Sequence, residues 1–488
     1  MKVKRLYIHT IGCQMNVYDS EKMVSVLAPL NYRKTADLHA ADLIIVNTCA
    51  IRQKAEQKVF SFLGRLSRLK DERPELLIGV GGCVAQQQGK KILARVPFVD
   101  FVFGTQAISR LPRIVRNGET HAGRVVDVAP AGAGDLFDVP VDVPVDAPLD
   151  GPPQLTKTGQ VTRFVTIMQG CDNYCTYCVV PYVRGREASR RPGDIIAEIE
   201  RLVAAGVREV TLLGQNVNSY GVKEGLCSFA ELLGRIDAID GLLRIRFTTS
   251  HPKDLSTDLC RTFGELPKLC GHIHLPVQSG SNPVLKRMNR RYTRENYLEK
   301  VAELREYCPH IAISSDFIVG FPGEEAADFD RSLDLIRTVG FDSLFAFKYS
   351  DRPQAPAGRF AGKVSEPEST ARLQILLEEQ NRITLAKHRS LLGSVPEVLV
   401  EGVNGRSALS GGEDGGPAGG GPQWTGRTSS NKIVNFERAM LRAPLCENFK
   451  GRLVRVRVEK AFAHSLWGVL TNDAVAPAAV KGEKSYAA

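Results

Sequence analysis

Six short apolar runs recur between residues 161 and 350, with helix-patterned stretches between them. The runs are "VTRFVTIMQ", "EVTLLGQN", "LLRIRFTTS", "GHIHLPVQ", "IAISSDFIVG" and "SLFAFKYS"; "PGDIIAEIERLVAAG" and "TRENYLEKVAELREY" exemplify the intervening helices. Pro192 and Thr293 stand where helix starts favour such residues. Alternation of this kind predicts parallel strands with crossover helices, and six units predict a partial (βα) barrel. Active sites on such barrels lie at the carboxyl ends of the strands.

The amino-terminal region repeats the theme. "RLYIHTIGC", "ADLIIVNTC" and "LLIGVGGC" each end in a cysteine: Cys13, Cys49 and Cys83. In an open parallel α/β sheet the ligand crevice lies at that end of the strands. Three cysteines at equivalent strand ends are expected to converge in space although 36 and 34 residues separate them in sequence. The carboxyl-terminal "VPEVLVEGV" and "GRLVRVRVEKAF" predict a small β-barrel, an architecture often used on RNA. "PAGAGDLFDVPVDVPVDAPLDGPPQ" (130–154) cannot pair as a central strand, because proline lacks the donor, and "SGGEDGGPAGGGP" (410–422) predicts a flexible loop. The expected organisation is an open parallel sheet over 1–120, an acidic linker over 121–155, the six-stranded partial barrel over 156–385, the β-barrel over 386–472 and a flexible tail over 473–488.

The net charge of +10 is uneven: 19 Lys/Arg against 10 Asp/Glu over 1–120, and 12 against 7 over 386–472. Basic ends around a balanced centre suit a polyanion, although solubility alone also accounts for them. No stretch approaches the roughly 20 apolar residues that span a bilayer, and the apolar part of "MKVKRLYIHTIGC" is too short for a signal peptide. A cytoplasmic chain, not bound to a membrane and monomeric, is therefore expected. In a reducing compartment regularly spaced cysteines signify metal ligands sooner than disulfides. Cys227, Cys260, Cys270, Cys308 and Cys446, lacking partner spacing among the eleven cysteines, are expected to be structural thiols.

Directly after the first barrel strand, "VTIMQGCDNYCTYCVVPY" places Cys171, Cys175 and Cys178 in a Cys-x3-Cys-x2-Cys arrangement with no fourth cysteine or histidine nearby. Structural zinc sites are closed by four ligands. Three thiolates suit instead three irons of a four-iron cube whose fourth iron takes an outside ligand. Both readings stand on spacing alone, and with zinc the chain would be a non-catalytic RNA-binding protein.

The cysteine loop after strand one of a six-strand partial barrel resembles the radical S-adenosylmethionine superfamily. In that superfamily the open iron is chelated by S-adenosylmethionine, whose reductive cleavage gives an adenosyl radical. The resemblance implies cofactor contacts at the other strand ends: Gln215, Asn216, Ser250, Gln278 and Ser279 for the ribose or amino-acid end, and Gly320 and Gly323 for backbone approach to the adenine. The contexts "TIGCQMNVYDSE", "ADLIIVNTCAIR", "GVGGCVAQ", "LPVQSGSNPVLKRMNRRYTRENY", "VGFPGE" and "WTGRTSSNKIVNF" resemble the methylthiotransferases within it, with a TRAM-type terminal barrel. That resemblance covers nearly the whole chain outside 130–154 and 410–422. It implies a second [4Fe-4S] cluster on Cys13, Cys49 and Cys83 beside the one on Cys171, Cys175 and Cys178. It also implies a first domain docked over the barrel mouth, with electron-donor and sulfur-donor proteins as partners. "GCQMN" and "QGCDNYCTYCVVPYVRGREASR" resemble the branch acting on isopentenyladenosine beside the anticodon of tRNA. The branches acting on threonylcarbamoyladenosine and on a ribosomal protein are the alternatives. Arg184, Arg186, Arg190 and Arg191 are expected to contact phosphate or a cofactor carboxylate, or to form a solvated loop. Of Arg427, Lys432, Arg452, Arg455 and Arg457 in the terminal barrel, strand alternation points Arg455 and Arg457 outward, toward phosphate or solvent.

Overall fold

A computed structural model describes residues 3–50, 53–120, 123–132, 137, 159–404, 423–437 and 448–471. Most of the 121–155 linker, the 410–422 loop, the 473–488 tail and Cys446 lie outside the described residues.

The first region is a six-stranded sheet of β1 (Lys4–Thr10), β2 (Tyr32–Lys34), β3 (Leu43–Thr48), β4 (Leu77–Gly82), β5 (Phe101–Phe103) and β6 (Val125–Asp127). All neighbours are parallel, in the order β2-β1-β3-β4-β5-β6. The central β3 and β4 are buried along their whole length, as a parallel strand covered by helices on both faces must be. Two separate apolar cores, one around Ile44, Ile78 and Leu63 and one around Leu6, Ile45 and Phe101, mark the two faces. The strand order reverses between β1 and β3, which places the crevice between Cys13 and Cys49.

The central region contains β7 (Thr162–Thr166), β8 (Met168–Gln169), β9 (Ala188–Ser189), β10 (Glu209–Leu213), β11 (Arg244–Phe247), β12 (His272–His274), β13 (Ala312–Val319) and β14 (Ser343–Lys348). Strands β7, β10 and β11 form one parallel set and β12, β13 and β14 another; a bridge between Ile245 and Leu269 joins them. All six expected strands are present in this parallel arrangement. Among the described residues nothing pairs β14 with β7, so the barrel stays open along one side. Strands β8 and β9 make a short antiparallel ribbon that brackets the Cys171–Cys178 loop. Pro192 opens the helix Pro192–Ala204. Thr293 caps Arg294–Tyr307 in a capping box, its Oγ1 accepting from the Asn296 N–H at 3.3 Å.

The last region is a closed barrel of β15 (Glu397–Val403), β16 (Trp424–Thr428), β17 (Ile433–Glu437), β18 (Leu453–Ala461) and β19 (Leu466–Leu470), in the order β15-β16-β17-β19-β18. Val454, Val456 and Val458 fill its interior while Arg455 and Arg457 stand exposed, as the alternation requires. The barrel is fastened to the core by buried cations. Arg246 donates to the carbonyls of Thr428 and Ser429 at 2.7 and 3.0 Å, and Arg244 to that of Arg427 at 2.5 Å. Lys432 pairs with Asp342 at 2.7 Å, and Lys387 reaches the same carboxylate at 2.7 Å. Lys432 is thus an internal tie.

Candidate functional site

Cys13, Cys49 and Cys83 are brought together at the crevice by a polar lattice beneath them. The Asn16 side chain donates to Asn47 Oδ1 at 3.1 Å and to the Thr48 carbonyl at 3.0 Å; Asn47 donates back to the Asn16 carbonyl at 2.8 Å. Thr48 Oγ1 donates to the Gly81 carbonyl at 2.6 Å and accepts from the Val84 N–H at 3.2 Å. Gly82, at φ +91°, makes the turn into Cys83; a Cβ there would lie 2.4 Å from the Thr48 carbonyl oxygen. Only glycine fits. Cys13 caps the helix Gln14–Leu27. A hydrogen bond with Cys49 pulls its thiol down to about 6 against the opposing effect of burial, and the charge of Arg184 adds to the pull. Burial pushes the Cys83 thiol up, with Arg184 opposing.

The Cys171–Cys178 loop is tied to a segment with no chemistry of its own. Arg290, fully enclosed, donates to Cys175 Sγ at 3.4 Å, to the Pro276 carbonyl at 2.6 Å and to Tyr292 Oη at 2.9 Å. The Asn289 side chain donates to the Tyr174 carbonyl at 3.0 Å, and the Thr176 N–H donates to the Met288 carbonyl at 3.1 Å. Gln215 accepts from the Gly170 N–H at 2.5 Å. Gly170 sits at φ +82°, where a Cβ would meet the Arg186 carbonyl at 2.1 Å. Burial raises the Cys171 thiol to about 11 and the Cys178 thiol to about 12.

Both cysteine sets face one cavity of about 240 Å³. Cys13, Cys83, Cys171, Cys175 and Cys178 line it, and Cys49 is hydrogen-bonded to Cys13. Gln215, Ser250 and Gln278 are on its wall, so three of the seven expected cofactor contacts reach it. Four do not line it, each for a visible reason. Asn216 Nδ2 donates to Ser219 and Asp254, at 3.0 and 2.7 Å, which turns the side chain from the wall although its Oδ1 has no partner. Ser279 Oγ accepts from the Ser281 N–H at 3.2 Å. Gly320 and Gly323 are turn glycines at φ +70° and +81°, and a Cβ on them would strike Ser369 at 2.3 Å and Arg287 at 2.7 Å.

The wall also holds two residues that motif reading overlooked, Asn173 and His251. Asn173 Nδ2, Ser250 Oγ, His251 Nε2 and Arg184 Nη1 are all buried, all belong to lining residues, and all lack a hydrogen-bond partner. Unpaired buried polar atoms are costly and are retained where an absent group completes them. Burial, with Arg290 nearby, keeps the His251 ring neutral. Its Nδ1 accepts from the Lys253 N–H at 3.3 Å, which leaves Nε2 as the protonated nitrogen aimed at the cavity. The signal available in sequence was position alone: Asn173 lies within the cysteine loop, and His251 follows Ser250 at a strand end.

Of the four arginines after the cysteine loop, Arg186 and Arg191 are exposed, whereas Arg184 and Arg190 are buried. Arg184 Nη2 donates to Asp19 at 2.6 Å, and Arg190 pairs with Glu198 at 2.7 Å. Glu198 holds Arg190 inside the protein, whereas Arg184 keeps its Nη1 unpartnered on the cavity wall. Arg184–Asp19, together with Arg163–Glu21 at 3.0 Å, locks the amino-terminal domain over the barrel.

Among the described residues no three Cys, His, Asp or Glu side chains converge on a point where a single metal ion would sit. A four-iron cube takes each thiolate on a different iron, so its ligands stand apart around a common space. A cavity walled by three thiols at one end and by Cys13 and Cys83 at the other, with Cys49 hydrogen-bonded to Cys13 and unfilled donors on the wall, fits two such clusters and a polar cofactor.

Comparison with known proteins gives the same picture. The radical SAM superfamily profile matches residues 165–336, and that of the Uncharacterized protein family UPF0004 matches residues 5–104. The tRNA-2-methylthio-N(6)-dimethylallyladenosine synthase of Desulfosudis oleivorans is 54% identical over 467 residues, 96% of this chain and 97% of that protein. The synthase of the same name from Geobacter metallireducens is 52% identical, covering 96% and 98%. The radical S-adenosylmethionine methyltransferase TsrM of Kitasatospora setae, solved with cobalamin and a [4Fe-4S] cluster bound, superposes with a TM-score of 0.54 at 14% identity. It covers 73% of this chain and 77% of its own, a likeness of fold. With half its residues shared with these synthases along nearly their whole length, the chain belongs to the tRNA-2-methylthio-N(6)-dimethylallyladenosine synthase family of radical SAM enzymes.

Proposed function

We infer that this chain is a radical S-adenosylmethionine methylthiotransferase that converts isopentenyladenosine, next to the anticodon of tRNA, to its 2-methylthio derivative. The observation that carries this reading is the single cavity lined from both cysteine sets. Cys13, Cys49 and Cys83 would hold one [4Fe-4S] cluster, and Cys171, Cys175 and Cys178 the other. Gln215, Ser250 and Gln278, with Asn173 and His251, would hold S-adenosylmethionine. Bound there, these groups supply one-electron cleavage of a sulfonium and a methylthio group for transfer.

The chain's own residues supply placement. Arg290 fixes the Cys175 sulfur through a side chain whose nitrogens are all engaged. Gln215 holds the Gly170 amide and thereby the start of the cysteine loop. The Nε2–H of His251 and the amide of Asn173 offer donors to a carboxylate or hydroxyl. Domain docking through Arg184 and Asp19 sets the separation of the two cysteine sets. A target base in a loop can be extracted into the cavity more cheaply than one in a duplex. The reading includes a monomeric, cytoplasmic enzyme served by an electron-donor and a sulfur-donor protein. None of the helices among the described residues is long and apolar enough to cross a membrane.

The test is anaerobic reconstitution followed by reaction with an anticodon stem-loop bearing isopentenyladenosine. About eight irons per chain and a nucleoside heavier by one methylthio group are expected by mass spectrometry. Full iron loading with no change in the nucleoside, under a strong reductant and with sulfide supplied, would overturn the reading.

A further inference from the structure

Strand β14 borders the open side of the partial barrel. Its register with β13 pairs Phe345 with Asp316 and Phe347 with Ile318. Paired positions on adjacent strands share a face. Asp316 lines the cysteine cavity, so Phe345 and Phe347 belong to the face that looks into the barrel. The alternate residues, Leu344 and Ala346, pack outward against the helices. In a closed barrel the two rings would be interior. Here Phe345 is 52% exposed and Phe347 40%, whereas Phe247, Phe317, Phe321 and Phe341 of the same core are at most 2% exposed.

Two further hollows extend from these rings. One, of about 220 Å³, is lined by Phe347, Ile318 and Tyr177, and shares Cys178, Gln278 and Asp316 with the cysteine cavity. The other, of about 380 Å³, runs from Phe345 and His272 to Arg427, Asn431 and Lys432 of the terminal barrel. Strand β14 therefore carries one ring toward the reacting centre and one toward the barrel. His274 meets the Phe345 ring edge-on, with centroids 6.2 Å apart, and so fixes it.

We propose that Phe345 and Phe347 form a stacking platform for bases of a single-stranded RNA loop. In this arrangement the loop lies along β14 from the terminal barrel to the cysteine cavity. This rests on the tRNA reading above and names the surface that reading requires. The occupant is argued from continuity: the Phe347 hollow is contiguous with the site where the target base reacts. RNA loops are recognised by stacking of splayed bases on aromatic rings, and duplexes are not. The i, i+2 spacing sets the two rings about 7 Å apart at the backbone, which gives each ring room for a base.

The test measures affinity of the reconstituted full-length chain for an anticodon stem-loop and for a loop-free duplex of similar charge, at fixed salt. Phe345→Ala and Phe347→Ala are each expected to weaken stem-loop binding about tenfold or more and to leave duplex binding unchanged. Phe345→Leu keeps apolar volume without an aromatic face and should lose affinity likewise, while Phe345→Tyr should retain it. Iron content and thermal melting equal to those of the unsubstituted protein exclude misfolding as the cause. Stem-loop affinity unchanged in both alanine variants, with the unsubstituted protein binding and modifying the RNA, would overturn the platform and leave the tRNA reading intact. If the unsubstituted, iron-loaded protein binds a ribosomal-protein peptide and no RNA, the tRNA reading itself fails and the platform falls with it.

Discussion

Five thiols wall the cavity, and their electrostatic settings differ. The Cys13 thiol is drawn down to about 6, chiefly by Cys49 and then by Arg184, whereas burial lifts Cys178 to about 12. The thiolate is the form that binds iron. Cys13 is thus prepared for ligation in the metal-free chain, while Cys83, Cys171 and Cys178, raised by burial, depend on metal to displace their protons. This asymmetry accompanies different tasks in the reading above. On that reading Cys175→Ala removes a ligand of the set that shares the cavity wall with Gln278 and Ser250. It is expected to abolish formation of 5′-deoxyadenosine and, with it, the methylthio product. Cys49→Ala is expected to spare 5′-deoxyadenosine and stop only the methylthio product. Each variant should hold about four irons in place of about eight. Chromatography of the small-molecule and nucleoside products from the same reactions decides it, and equal loss of both products in the two variants would contradict the division of labour.

At the scale of elements, the contact between terminal barrel and core is made by charges to which sequence reading gave no such role. Burial raises the Asp342 carboxyl, but Lys432 and Lys387 more than offset it, so it lies below the usual carboxylate range. A lowered carboxyl contributes stability above its unfolded value of about 4, and that contribution is lost as pH falls through the lower folded value. Asp342→Ala would strand Lys432, whose side chain is only 9% exposed, and is expected to cost about 1–3 kcal/mol. Hydrogen exchange should then show faster opening of the β15–β19 amides, and the acid-induced loosening seen below about pH 4 in the parent should disappear. Undiminished protection would mean that the arginine–carbonyl bonds hold the barrel alone. The strands of the core were legible because β-branched runs bounded by turn residues have few alternatives. The ties were not. Arg244 and Arg246 alternate with Ile245 and Phe247 in "RIRF", where a strand ordinarily turns its arginines to water. Here both are buried, because the partial barrel is plugged by the terminal barrel's carbonyls. Likewise nothing in "GFPGE" shows that Ser369 and Arg287 close in on Gly320 and Gly323. Contacts between elements distant in sequence leave no periodic trace in either one.

For the whole molecule, the charge of +10 has to be divided between fastening and recognition. Arg184, Arg190, Arg244, Arg246 and Lys432 are buried in internal bonds, so their charge is already answered inside the fold. Arg455 and Arg457 stand on the outside of β18, alternating with its buried valines. Charges of that kind act on RNA through release of condensed counterions, which makes affinity fall with salt at a slope of about −0.7 per phosphate neutralised on a single strand. Replacing Arg455 and Arg457 together by alanine is expected to flatten the plot of log affinity against log salt by about 1.4, with the same loss on any RNA sequence. Stacking releases no counterions, so Phe345→Ala should lower the whole line and leave its slope alone. Titrations of the stem-loop at several salt concentrations separate the two contributions in one experiment. A slope unchanged in the double arginine variant would assign the outer face of the terminal barrel to solubility, and the positive charge that meets the RNA would have to be sought on the amino-terminal domain, where Lys/Arg exceed Asp/Glu by 19 to 10.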